Sequence, residues 1–576
     1  MRMAVVFILV CAVWPGLGPV APRPAAAEWP GDPSLNVPVC TLPSYQLEPQ
    51  IAPDGAGGAI LVWLDRRLAC GDVCVDLYAQ RVSAAGAVQW TTDGMPLCTA
   101  IGEQWSGIVV PDGAGGAIAA WADYRHDPGS YTYSEIYLQR VSASGAVQWA
   151  PNGVPLCATT VDKEHEPALI PDGTGGAIVA WRDSRSGAQD IYVQRVAADG
   201  ATRWTANGVA LCTAAGSQSG PAIVPDGEGG AVVTWTDSRS GNDDIYAQRV
   251  SADGGVLWTG NGVAVCAAAG SQARPVVSPD SLGGAIVSWA EYRGGSYGVY
   301  AQRIAGDGTI RWTADGVALR TAASSTYQPA VRIASDGAGG AIVAWEDSRG
   351  GTHAYDIYAQ RVSGDGAVQW TAGGVGLCTA PGAQGGPAII PDGSGGAVVA
   401  WQDSRGADAD IYAQRVSATG LMTWPADGVA LSTAARGQHG VRIAPDGAGG
   451  AIAAWMDDRS GTGDIYAQAI TGGGELGSIV DVPEDVPLSF ALEPVRPNPA
   501  RGGALTVRFT LAGPAAASLE LLDVAGRRLV TRVVGSLGAG RHTADLGLGQ
   551  ALAPGLYWVR LRQGTDSRLT RVAVLR

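Results

Sequence analysis

Eight times along the chain an acidic residue and an arginine stand two apart behind a tryptophan, W-x-[DE]-x-R. The pairs are Asp65/Arg67, Asp123/Arg125, Asp183/Arg185, Asp237/Arg239, Glu291/Arg293, Asp347/Arg349, Asp403/Arg405 and Asp457/Arg459. Residues i and i+2 of a strand point to one side, so each pair could grip an anion or support acid–base chemistry. Catalysis, however, needs one asymmetric constellation with distinct roles. Eight equivalent pairs read as hydrogen bonding inside a repeated unit that anchors the next loop. A second chemical possibility is the Gly-rich stretch PDGAGGAIAAWADYR at 111–125. A phosphate-binding loop needs a Lys-Ser/Thr pair and a following helix; this loop has neither and returns straight into a strand. The sequence has no HExxH, paired CxxC or EF-hand loop, and no G-x-S-x-G elbow stands in a strand-to-helix context. Five histidines are present, and the nearest approach to a catalytic cluster is His165 with Asp162 and Glu164. No metal or cofactor is expected.

The elements that position these residues repeat. The motif tryptophans are Trp63, Trp121, Trp181, Trp235, Trp289, Trp345, Trp401 and Trp455, spaced 58, 60, 54, 54, 56, 56 and 54 residues apart. A fixed period of this size signals a repeat architecture. In the unit at 221–266 the strands read PAIV, GAVVTW, DIYAQRVS and GVLW, with Gly and Asp at the hairpin turns. TGNGVAVC then either extends the outer strand past a bulge or forms a short fifth strand. The Trp strand is apolar at nearly every position, as a strand buried on both faces must be. The expected fold is all-β: an eight-bladed β-propeller of four-stranded blades followed by a small sandwich. The eighth unit stops at DIYAQAITGGGELG, and its missing piece, WPGDPSLNVPVC, stands at the front of the chain. The amino-terminal segment should therefore complete the last blade and close the ring, removing the exposed edges.

A second tryptophan series, Trp29, Trp90, Trp149, Trp204, Trp258, Trp312, Trp370 and Trp424, reads as inter-blade packing rather than sugar stacking, because packing needs identical spacing in every blade. Cys40, Cys98, Cys157, Cys212, Cys266 and Cys378 share one repeat position, which becomes Arg320 and Ser432 in two units. They read as buried thiols serving as small apolar residues. Cys70 and Cys74 sit in one polar break and could close a local disulfide in an oxidising compartment.

Both ends of the chain speak of export. Arg2, an apolar run at 4–14 and Ala25-Ala26-Ala27 make residues 1–27 a secretory signal peptide. No later run is long enough for a spanning helix, so no transmembrane anchor is expected. The propeller should occupy 28–470 and a Gly/Pro/acidic linker 471–496. The net charge of −14 lacks the basic field of a nucleic-acid binder. At 497–576, PNPA, LLDVAGRRL, GAGRHTADL and APGLYWVRL occur in that order. This module resembles the carboxyl-terminal sorting domain of type IX secretion cargo and the Ig-like domain of flagellar hook-capping proteins. The resemblance implies an Ig-like sandwich recognised by secretion machinery, and a location at the outer-membrane surface or outside the cell.

Where units differ, recognition can live. The PDGxGG and SADG turns are nearly constant and lie on one face. The break after W-x-D-x-R and the inter-blade connection vary and lie on the other. Trp105, Tyr131, Tyr133, His165, Tyr297, Tyr327, His353 and Tyr355 fall there and are the candidate ligand-binding residues. The expectation is a monomeric, non-catalytic propeller binding protein or glycan. A secreted hydrolase or lyase working in the propeller mouth is the alternative.

Overall fold

The apolar strand AILVWLD, Ala59–Asp65, is buried at every position, and its counterparts in the other units are buried at all or all but one. Such a strand needs protein on both faces. The structure, a computed structural model, supplies it with eight four-stranded antiparallel sheets. It describes residues 29–67, 75–128, 133–157, 165–321, 327–349, 355–477, 490–493, 495, 500–501, 505–513, 515–534, 540–546 and 552–575. In the first blade the strands are Gln46–Pro53, Ala59–Asp65, Asp76–Val82 and Met95–Cys98. The first strands of successive blades adjoin one another around a closed ring, with Gln438–Pro445 returning to Gln46–Pro53. These eight strands therefore wall the central channel.

The outer strand differs from the sequence reading. GVLW makes only an isolated bridge, as Val256 does to Val250, and the fourth strand is the later segment, Val263–Cys266 in that unit. The reason is a side chain that takes the place of a ladder. Gln248 donates to the Thr259 carbonyl at 2.8 Å and accepts from the Trp258 amide at 2.9 Å. The chain is thereby turned before it pairs again.

Val37–Cys40 pairs antiparallel with Asp464–Ile470, so the first described strand is the last strand of the eighth blade. Trp29 completes the second tryptophan series there. Its indole N–H donates to the Ala84 carbonyl of the first blade at 2.9 Å, as Trp90 does to Ala143 at 3.0 Å one blade on. Asn36 locks the seam. It donates to the Leu431 carbonyl at 2.9 Å and accepts from Arg459 at 2.6 Å and Ser432 at 2.8 Å.

Each motif aspartate is a hub. Asp237 takes the Trp235 indole N–H at 2.8 Å and two guanidinium N–H groups of Arg239, at 2.8 and 2.5 Å. Arg239 also donates to the Asn261 carbonyl at 2.7 Å and lies 3.9 Å over the Tyr246 ring. Asp183 and Arg185 repeat this geometry, with Arg185 4.0 Å over Tyr192. All eight motif tryptophans are fully buried. The thiols do more than fill space. Cys212 of one blade lies 3.0 Å from Arg239 and 3.6 Å from Asp237 of the next. Burial pushes its thiol up to about 12.

A second ion pair pins the constant turn. In the first blade Arg81 donates to Asp54 at 2.9 Å, while Asp54 caps the Ala56 and Gly58 amides at 2.8 Å each. In the eighth blade Ala469 stands where the arginine would be, and Asp446 Oδ2 is buried with no partner. Burial raises the Asp446 pKa, against the backbone N–H groups that lower it.

Beyond the ring, a three-stranded and a five-stranded sheet share one core that includes Phe490, Val495, Phe509, Leu519, Val559 and Val572. No helix among the described residues is long and apolar enough to cross a membrane.

Ala469→Arg should return the missing partner to Asp446. We expect a gain of about 1–2 kcal/mol in urea unfolding, and no gain if Asp446 is first changed to Ala.

Candidate functional site: the mouth of the central channel

Every blade presents the same polar hub, so the residues that break the eightfold pattern are the ones to examine. Most gather on the first strands, at the end nearest the variable loops, with Glu346 beside them on a second strand. Seven of these strands slip register, as between Leu47 and Gln50 or Ala273 and Val276. Each bulge holds a residue in the left-handed region: Glu48 (φ 50°), Ser106 (55°), Glu166 (56°), Gly220 (59°), Arg274 (55°), Gly386 (62°) and Gly440 (65°). Glycine accepts this conformation freely, whereas Glu48, Glu166 and Arg274 hold it under strain. Bulges re-aim side chains, and backbone strain concentrates at functional sites.

Three residues before each PDG-type turn the blades carry Gln50, Ile108, Ala168, Ala222, Val276, Arg332, Ala388 and Arg442. Two arginines thus enter an otherwise uncharged ring. Arg332 is exposed in the channel, yet protein surrounds it. That desolvation, together with the Arg274 charge, holds its guanidinium below the ordinary value, against the opposing pull of Glu346. Desolvation and the Arg332 charge do the same to Arg442, against Glu48.

Glu346, the variable residue inside WEDSR, is buried. Its Oε1 accepts the Gly386 amide of the next blade at 2.6 Å. Its Oε2 accepts the Tyr327 hydroxyl and, at 3.4 Å, the Ala330 amide. A Cβ on Gly385 would come within 3.0 Å of this carboxylate, so the glycine leaves it room. Burial and the hydrogen bond to Glu346 raise the Tyr327 pKa, and the phenol keeps its proton. Its ring stacks on Tyr355 at 4.3 Å. Glu166 makes a similar bridge to the Gly220 amide at 2.9 Å and lies 3.5 Å from Arg182.

The structure brings Tyr327 and Tyr355 together and scatters the other candidates. Trp105 is half-buried, donates to Glu103 and lies under Arg66 at 5.9 Å. Tyr133 is exposed on its loop, its amide bonded to Asp127 at 2.9 Å. Tyr297 packs on Tyr292 at 5.0 Å across a hairpin. His165 starts the strand His165–Pro171, opposite Arg182. Tyr131, His353, Cys70 and Cys74 lie outside the described residues. Cys40, Cys98, Cys157, Cys212, Cys266 and Cys378 are buried and form no disulfide among the described residues. No metal-holding cluster of His, Cys, Asp or Glu occurs among the described residues. Sequence reading missed Glu346, Arg332, Arg442 and Arg274. The available signal was a column-by-column alignment of the eight units, in which charge at an apolar register stands out.

Carboxyl groups with raised pKa recur from blade to blade at the start of the third strand, away from the channel, and this recurrence marks them as structural. Asp76 stands opposite Asp65 and Asp410 opposite Asp403 on paired strands. Burial, then the facing carboxylate, lifts Asp76 to about 7 and Asp410 to about 6.

No protein-family model matches the chain, and no curated protein does. Solved structures do. An ulvan lyase, a polysaccharide lyase, is 10% identical with TM-score 0.40, over 77% of this chain and 97% of its own. The α-L-arabinanase of Penicillium chrysogenum is 11% identical with TM-score 0.32, over 54% of this chain and 93% of its own. A puromycin-hydrolysing peptidase of Mycobacterium tuberculosis is 15% identical with TM-score 0.40, over 75% of this chain and 61% of its own. The expectation of a non-catalytic binding or adhesion propeller is corrected against these findings, because the ulvan lyase and the arabinanase are carbohydrate-acting enzymes. At such identities the likeness shows the fold alone; residue roles must come from this chain's own channel.

The folded pKa of Asp76 and Asp410 lies above the unfolded value, so their contribution to stability is full below about pH 4 and is lost as pH rises through 6 to 7. Asp76→Asn with Asp410→Asn should flatten the fall in urea midpoint across that window. An unchanged slope would place the titration elsewhere.

Proposed function

We propose that the chain is a carbohydrate-cleaving hydrolase or lyase working at the channel mouth. One observation carries this reading: the eightfold scaffold is broken at one place by groups with unlike chemical roles. Glu346, held by the Gly386 and Ala330 amides, is the proton acceptor. Tyr327, whose phenol stays protonated and points at Glu346, is the proton donor. Arg332 and Arg274 provide positive charge beside them. This supplies the asymmetry that proton transfer at a scissile bond requires. The stacked Tyr327 and Tyr355 rings offer a rigid amphipathic surface beside the pair, suited to the face of a sugar ring.

We further propose that the chain is exported, with cleavage before Glu28, and that the carboxyl-terminal module is an Ig-like sorting domain read by secretion machinery. Trp29 supports the cleavage site: it already belongs to the ring seam, so a cut before Glu28 leaves the seam intact. The module's two-sheet core is compatible with the resemblance of its four ordered motifs.

The test is release of new reducing ends from a panel of plant and algal polysaccharides. Glu346→Gln should cut turnover about 100-fold or more, and Tyr327→Phe by a similar order. Ultraviolet absorbance of an unsaturated product separates a lyase from a hydrolase. Turnover unchanged in both variants would overturn the assignment.

A further inference from the structure

The arginines that build the ring are satisfied. Arg239 and Arg81 have carboxylates at 2.5 and 2.8 Å, as do their counterparts along the hub and the pinned turn. Arg332 and Arg442 differ. The Nη1 of Arg332 donates to its neighbour's carbonyl, Val331, at 2.9 Å, and that of Arg442 does so to Val441 at 3.1 Å. Among the described residues neither guanidinium has an ion-pair partner, although Glu346 and Glu48 lie close enough to act on them through space. The two arginines also repel one another across the intervening blade. Two like charges, walled in by protein and with no carboxylate within ion-pair distance among the described residues, are costly to hold there. Nothing in the hub or the seam uses them. Their register is one that Ile108, Val276 or an alanine fills elsewhere, so the fold does not demand charge there.

We propose that the channel mouth takes an acidic polysaccharide, whose carboxylate or sulfate groups pair with Arg332 and Arg442, with Arg274 at the flank. This deepens the carbohydrate-cleaving reading and rests on it. Two guanidiniums two blades apart, in the sixth and eighth blades, suit a chain that carries acidic groups at intervals better than a single small anion. Arg presents a planar donor fork that matches carboxylate and sulfate oxygens in pairs. The strained Arg274 at the neighbouring bulge adds a third cation beside Arg332. Glu48 stands on the other side of Arg442 and leaves the positive field lopsided, towards the fifth, sixth and eighth blades. A neutral glycan would leave both arginines unpaired.

The test is direct binding of the full chain, measured by calorimetry, to polygalacturonate, to dextran sulfate and to neutral dextran. At least one polyanion should bind, more weakly as salt is raised, and dextran should not. The first two probes separate carboxylate from sulfate recognition. Arg332→Ala with Arg442→Ala should weaken binding at least tenfold. Phenylglyoxal labelling of the unmutated chain gives a second readout: bound polyanion should protect Arg332 and Arg442, read by peptide mass. Equal binding of dextran, affinity unchanged in the double variant, or labelling that polyanion does not suppress would each overturn the proposal. The two readings fail separately. Binding that needs the arginines without any cleavage would sink the catalytic assignment alone, whereas cleavage of only neutral glycans would sink this one.

Discussion

A buried carboxylate stands at one corner of every blade, and the ring is assembled around it. Each accepts an indole N–H from its own strand. Each also pairs with an arginine whose guanidinium covers a tyrosine ring of the third strand. In most blades that arginine also reaches the outer strand of the blade before, through a cysteine sulfur. A lone buried carboxylate would be costly; here charge-assisted hydrogen bonds and a stacked cation satisfy it. The arrangement tolerates substitution where geometry is kept. Arg320 takes a cysteine's place and pairs with Asp347 at 3.2 Å, while Ser432 hands the role to Asn36.

Because stability is distributed over eight equivalent hubs and the double-sided burial of the Trp strands, the innermost strands need not be uniform. They carry the unlike bulge residues and the two channel arginines, and one glutamate on the sixth blade's second strand bridges from there to the seventh blade. A rigid ring can hold unpaired charge at its axis because the cost is spread over a large core. That division of labour, symmetric frame and asymmetric axis, is what gives the channel mouth a chemical character that the repeated motifs lack.

Much of the frame was legible in the sequence. The tryptophan spacing counts the blades, and the phase offset between WPGDPSLNVPVC and the eighth unit predicts the shared last blade. The outer strand was misjudged because Gln248 and its equivalents replace a backbone ladder by side-chain hydrogen bonds, an interaction that hydrophobic pattern cannot show. The site was harder to see. The conspicuous aromatic residues stand in the variable loops, whereas Arg332 sits in AVRIAS and Arg442 in GVRIAP, inside strands that otherwise look like core. Glu346 was hidden as the free position of a structural motif. Only the closed ring, which turns one register of the first strands into a channel wall, brings Arg332 within electrostatic reach of both Arg442 and Glu346.

The central claim is that function lies on the axis of the ring and not in its repeated hubs or outer loops. The most direct measurement is a crystal structure of the chain soaked with an acidic oligosaccharide such as an oligogalacturonate. The account predicts sugar density in the channel mouth, with acidic groups within hydrogen-bond distance of Arg332 and Arg442 and a glycosidic oxygen beside Tyr327 and Glu346. Ordered sugar bound only on the outer loops, with the channel arginines still unpaired, would contradict it.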